Sequence, residues 1–222
     1  MPRSRSLVLF EFLGTAVILL GAFLGNWFIP VAGYNWITPP FVGLAIALTF
    51  HKSGAHLNPA VTALVNVLPR KHRIQNITYV ATQFATAGVV GLALMPALLN
   101  VGADSAPNWG WRISVVWLEA MATLVLMSLI ALLAINGKAI WTILAVPGML
   151  YLLALSPLSP SQMNPAVTLA QTIEGLLSPT ELVEHLAGEV LGVALVILWV
   201  RIWLARKRLA LAHNQTQSET SN

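Results

Sequence analysis

Polar residues are scarce along this chain, and most of them fall between long apolar runs. Six runs stand out, over residues 6–29, 36–50, 77–99, 113–135, 139–155 and 182–204. A helix needs about 20 apolar residues to cross a bilayer. Four of the runs reach that length, and the second and fifth fall short. Each short run is followed by a further apolar stretch opening on Asn-Pro, over 58–68 and 164–177. Helices there reach only about 16–21 Å at 1.5 Å per residue, half a crossing. A backbone that stops halfway has polar end groups that lipid cannot satisfy. It must be buried in protein or line an aqueous cavity.

The spacing predicts an internal repeat. Asn58 and Asn164 are 106 residues apart, and Glu11 and Glu119, each early in its half, are 108 apart. Each half reads helix, helix, half-helix, helix. Three spans per half is an odd number, so the second repeat is inverted relative to the first. The predicted fold is therefore an all-α membrane protein with six transmembrane helices plus two re-entrant half-helices. One channel domain covers 1–208, with repeats over about 6–100 and 112–205. The polar residues 209–222 are expected to be a disordered tail.

Composition agrees with a membrane as solvent. The chain is 57% hydrophobic and 9% charged, where a soluble domain carries about 25% charge. Its net charge is +4, yet the basic residues sit at the edges of apolar runs rather than on a water-facing surface, which argues against a nucleic-acid partner. With the N-terminus inside, eleven Lys and Arg fall on the cytoplasmic side and Arg112 alone on the other. Both termini are thus expected in the cytoplasm. Arg3 and Arg5 before an apolar stretch mimic a signal peptide, but the run continues to residue 29, beyond the about 7–15 residues of such a core. It reads as a retained first helix. There is no cysteine, so redox compartment is not informative.

The chemistry concentrates in two turns. They read His56-Leu57-Asn58-Pro59-Ala60-Val61-Thr62 and Gln162-Met163-Asn164-Pro165-Ala166-Val167-Thr168. Asn is a favoured N-cap, and Pro at the first helical position lacks only an N–H that is orphaned there anyway. One copy is an ordinary helix start. Two identical copies, each after an under-length apolar run, predict paired half-helices. Abutting N-termini aim about half a positive charge each at the pore centre, which penalises cations. The two Asn carboxamides orient a passing hydroxyl so that it relays protons poorly.

On these residues the chain resembles the aquaporin, or major intrinsic protein, family. The likeness covers nearly the whole length: both Asn-Pro-Ala motifs, the GAHLNPAVT context from Gly54 to Thr62, Glu11 in EFLGT, Glu119 in LEAMAT, and Gln83. The resemblance implies a homotetramer in lipid with one pore per subunit. It implies passive conduction of water, glycerol and other small neutral solutes. No Ser-His-Asp set, phosphate loop or metal cluster stands out, so no cofactor and no enzymatic activity are expected.

The family usually carries Arg after the second Asn-Pro-Ala, at the outer filter. Here the residue is Val167, which lacks a fixed charge and up to five donors. Counting back from the motifs gives Thr38 where a large aromatic is common, Leu152 where water channels often have His, and Ser161. Those four residues predict a filter wider and more apolar than a strict water pore. Thr168 stands where glycerol channels typically carry Asp. Thr38, before Pro39 and Pro40, also reads as a helix cap, and Leu152 also reads as lipid-facing. Glu11 and Glu119 are expensive in a membrane and need partners; proton relay and bracing of the re-entrant loops are the two readings, and the resemblance favours bracing. His51, Lys52 and His56 lie on the approach to the first half-helix, where His56 either contacts solute or anchors the loop. His185 and Glu189 read as an ordinary i,i+4 helix pair, with too few ligands for a metal.

The expected function is a passive channel in the inner (plasma) membrane for neutral metalloid hydroxides, arsenite or methylated arsenicals, with urea, ammonia, glycerol and water. Its rivals are a plain water channel, an adhesion or scaffold protein with a nearly closed pore, and a coupled transporter. For the last, no coupling site stands out beyond the two glutamates.

Overall fold

The computed structural model describes residues 2–32, 35–68, 73–98, 113–156 and 161–220. Arg112 and residues 99–111, where one repeat passes to the next, lie outside them.

The described residues form helices joined by turns, with no strand among them. The order is α1 (Pro2–Ala32), α2 (Thr38–Ser53), half-helix α3 (Pro59–Val65), α4 (Arg73–Leu98), α5 (Ile113–Ile135), a 3-10 turn over Ala139–Trp141 leading into α6 (Thr142–Ala154), half-helix α7 (Pro165–Ile173) and α8 (Pro179–Thr220). Four of these helices are long and apolar enough to cross a membrane, and α6 with its leading turn is a shorter apolar helix. Exposed Leu9, Leu44, Leu48, Ile77, Leu92 and Leu144 lie on α1, α2, α4 and α6. That surface suits hydrocarbon rather than water.

Local signals set the helix ends. Gly54 closes α2 in the left-handed region at φ 90°, with its N–H donated to Phe50 O, a conformation glycine adopts without a Cβ penalty. Ser178 and Glu181 form a reciprocal box at the start of α8: Ser178 N donates to Glu181 Oε2 at 2.9 Å, and Glu181 N to Ser178 Oγ at 3.2 Å. The half-helices are shorter than predicted, because turns take over after Val65 and after Ile173.

The expected disordered tail is a correction. Helix α8 continues to Thr220. No Gly or Pro follows Gly192, so nothing after the membrane-spanning part stops the helix.

Small residues bring the helices close around the centre. A Cβ on Gly188 or Gly192 of α8 would lie 2.5 Å from Val116 O or 2.6 Å from Ala120 O of α5. Backbones packed that tightly are held by dispersion rather than by a hydrophobic force, which lipid does not supply. The inverted repeat pairs α1 with α2 and α4, and α5 with α6 and α8. Half-helix α7 packs mainly on α4 and also on α8, and α3 packs on both α4 and α8, so each half helps to bed the other's half-helix.

Candidate functional site: a two-mouthed cavity

The half-helices meet end to end. Asn58 Oδ1 accepts Ala60 N–H at 2.7 Å, and Asn164 Oδ1 accepts Ala166 N–H at 3.0 Å. Each side chain therefore caps its own helix. Each amide nitrogen then crosses to the other motif: Asn58 Nδ2 donates to Met163 O at 2.8 Å, and Asn164 Nδ2 to Leu57 O at 3.3 Å. A carboxamide has two N–H donors, so one on each Asn remains for the cavity that both residues line.

The residues just before the motifs adopt the left-handed region, Leu57 at φ 54° and Met163 at φ 56°. Non-glycine residues there cost of order 1–3 kcal/mol and persist when surroundings over-determine them. The two buried glutamates do so. Glu11 accepts Ser53 Oγ–H at 2.7 Å, His56 N–H at 3.0 Å, Leu57 N–H at 2.8 Å and Gln83 Nε2–H at 2.9 Å. Glu119 accepts Gln162 N–H at 2.8 Å and Met163 N–H, and its Oε2 lies 2.6 Å from His185 Nδ1. Each carboxylate thus holds the two backbone donors that precede an Asn-Pro-Ala turn, an arrangement suited to bracing.

His185 is a residue whose role the sequence pattern hid. Its nearest charged partner is Glu119 on α5, not Glu189 on its own helix. Glu189 Oε1 instead accepts Thr168 Oγ1–H at 2.8 Å. Gln83 and Thr62 form the matching pair in the first half, with Gln83 Nε2 donating to Thr62 Oγ1 at 3.2 Å. The signal was available in the spacing: Tyr79 and His185, and Gln83 and Glu189, are both 106 residues apart.

The cavity has a volume of about 370 Å³. Its lining runs between two ends, here called mouths, one at Asn35 ahead of α2 and the other at Ala139 ahead of α6. Thr38, Ser161 and Val167 all line it. Thr38 does not cap α2 through its side chain; its N–H goes to Asn35 Oδ1 and its hydroxyl to Gly21 O, both at 3.0 Å. Leu152 is a correction. It is 71% exposed on the outer face of α6, and Leu150 and Leu153 line the cavity in its place. The i,i+3 pair lies on one helix face, and Leu152 points away from it. His56 also lines the cavity, with its ring nitrogen 3.3 Å from Thr62 Oγ1 and its ring edge-on to Tyr79. His51 and Lys52 are exposed at the end of α2, with Lys52 Nζ over the Phe10 ring.

Among the described residues the lining contains no Lys, Arg, Asp or Glu. What passes would meet carboxamides, hydroxyls, the His56 imidazole, backbone carbonyls and hydrocarbon.

The sequence model of the major intrinsic protein family matches residues 6–156. Aquaglyceroporin-2 of Rhizophagus irregularis is 33% identical over 106 residues, covering 42% of this chain and 34% of that protein. Aquaporin NIP1-4 of Oryza sativa subsp. japonica is 31% identical over 182 residues, covering 71% of this chain and 66% of that protein. The chain spans about a third of the first relative's length and just under two thirds of the second's. The second Asn-Pro-Ala turn lies beyond the stretch the family model matches, and its equivalence to the first rests on the geometry above. With its apolar spans, paired half-helices and that match, the chain is an integral membrane protein of the major intrinsic protein family.

Proposed function

We propose that this protein is a passive channel for small neutral solutes larger than water. Metalloid hydroxides such as arsenite and its methylated forms come first, with glycerol, urea, ammonia and water beside them. The observation that carries this reading is the uncharged cavity. No ionic side chain among the described residues lines it, and Val167 stands at the turn where a guanidinium would narrow the passage. An ion entering such a cavity loses its hydration without a counter-charge, and two half-helix N-termini add a positive potential at the centre. A neutral hydroxide keeps most of its hydrogen bonding through the carboxamides and carbonyls. Relatives named aquaglyceroporin and aquaporin support the same class.

The same reading puts the Asn35 mouth outside and the Ala139 mouth in the cytoplasm, on the strength of the Lys and Arg distribution. It has the chain in the inner (plasma) membrane as a homotetramer, each copy with its own pore. The test is arsenous acid uptake by proteoliposomes, with and without ionophores that collapse proton and sodium gradients. A passive channel equilibrates the solute to equal concentration on both sides and ignores the ionophores. Accumulation above equality, or loss of uptake on collapse, would point to a coupled transporter instead.

A further inference from the structure

The two mouths are built from equivalent positions, yet three of those positions differ in one consistent sense. On α1 the lining face runs Ile18, Ala22, Asn26; on α5 it runs Leu126, Ile130, Ala134. On the half-helices, Val61 and Val65 match Val167 and Gln171. Ahead of α2 and its counterpart α6 stand Asn35 and Ala139. The Asn35 mouth therefore carries three carboxamides where the Ala139 mouth carries Ala134, Val65 and Ala139.

Gln171 is the decisive member. It is 5% exposed, and among the described residues its side-chain amide has no hydrogen-bond partner. Its amide atoms are not sealed in hydrocarbon but open onto the cavity, where they still need a hydrogen-bonding partner. Gln171 lines the cavity about two turns from Asn164, so the cavity's occupant is what remains to supply one. Asn26 likewise lines the cavity with no side-chain partner among the described residues. Asn35 is partly committed, since its Oδ1 accepts Thr38 N–H. A side chain at Gly25 would run into Asn35, a Cβ there lying 2.1 Å from Asn35 Oδ1. The close approach of α1 thus fixes Asn35 at the mouth.

We propose that Asn26, Asn35 and Gln171 form a one-sided binding ring for neutral solutes that carry two or more hydroxyls. A carboxamide offers both donors and an acceptor, and so does each hydroxyl of such a solute. A ring of them replaces hydration group for group as the solute sheds water. The Ala139 mouth, with hydrocarbon at the same positions, releases it. The site thus resides at the Asn35 mouth, between Val167 and solvent. The inference rests on the channel reading above and adds the residues that select.

The test replaces each free carboxamide by the residue of the opposite mouth, Asn26→Ala and Gln171→Val, singly and together. Glycerol and arsenous acid permeability are measured against concentration in proteoliposomes, with water permeability of the same vesicles as the control for an intact pore. Each lost hydrogen bond should lower solute permeability about fivefold at low concentration. The half-saturating concentration should rise, while water flow stays within about twofold. Gln171→Asn should retain part of the effect. Unchanged glycerol and arsenous acid permeability in the double variant, with a conducting wild type, overturns the ring and leaves the channel reading standing. If the wild type passes water alone, the solute reading fails. The ring is then judged on whether glycerol slows water in the wild type and not in the double variant; equal flow in both overturns it too.

Discussion

The two halves of this molecule share a scaffold and differ in what they show to the pore. Glu11 and Glu119 grip the same two backbone donors ahead of each half-helix, and Leu57 and Met163 take the same left-handed turn. That agreement extends to the Asn pair, which bonds reciprocally across the centre. Away from the centre the agreement stops. Gln83 in the first half becomes Glu189 in the second, Tyr79 becomes His185, and Val65 becomes Gln171. Geometry that makes the pore is duplicated, whereas the lining differs between the ends: Asn26, Asn35 and Gln171 at one, His56 and Thr142 toward the other. On the ring proposal, a duplicated fold holds its solute site at one end only and still conducts equally in both directions.

Removing a brace should have the largest effect. Glu11→Ala and Glu119→Ala each leave one buried and one part-buried backbone N–H without an acceptor, at about 1–3 kcal/mol for the buried one. Thermal unfolding of purified protein should show a loss on the order of 3 kcal/mol for either variant, with water conduction gone. If one variant kept full stability, the symmetry of the two braces would be broken and the relay reading of that glutamate would return.

The next effect is at the filter. Val167→Arg brings a guanidinium into the Asn35 half only. Arsenous acid and glycerol permeability should fall about tenfold or more, the equivalent of about 1.4 kcal/mol of barrier, and water should lose less. The matching change in the other half, Val61→Arg, should obstruct at a different depth, away from the carboxamides. Equal solute-to-water ratios for Val167→Arg and wild type would mean that the limiting constriction lies elsewhere.

Much of this was legible in the sequence, and the reasons for the rest are physical. Helix number, the two half-helices and the inverted repeat follow from run lengths and from the paired Asn-Pro-Ala turns, because lipid leaves few ways to bury a half-crossing backbone. Helix phase was less secure. Counting back from Asn164 across residues 157–160 gave Leu152, whereas the lining face of α6 carries Leu150 and Leu153. An apolar helix has no polar stripe to mark which side faces the pore. The His185–Glu119 contact joins residues 66 apart and is invisible to local spacing. Asn26 and Gln171 were isolated polar residues in apolar runs, and only the 106- and 108-residue offsets single them out. The helical tail to Thr220 was missed because polarity was read as disorder although no breaker is present.

That phase correction carries its own smaller prediction. Leu153→Ala should raise glycerol permeability by opening the lining, and Leu152→Ala should leave it unchanged. The opposite order would return Leu152 to the filter.

The smallest effect concerns Glu174, which caps the end of half-helix α7 and has no counterpart charge at Leu68 in the first half. Burial raises its carboxyl to about 7. A folded-state pKa above the unfolded value means that the folded protein holds the proton more tightly. The stability so gained is present below about 4.5 and is lost as pH rises through about 7. Melting temperature should therefore drop by a few degrees between pH 5 and pH 8 through this group, and Glu174→Gln should shrink that drop. An identical pH dependence in the variant would show that the carboxyl stays solvated.

The central claim is that an uncharged pore passes neutral solutes and rejects ions, and osmotic reswelling tests it most directly. Proteoliposomes are shrunk by a step in glycerol, arsenous acid or potassium chloride, and light scattering follows the recovery. The account predicts recovery with glycerol and arsenous acid at rates proportional to protein density, and none with potassium chloride. Recovery no faster than in protein-free vesicles for both neutral solutes, or recovery with the salt, would contradict it.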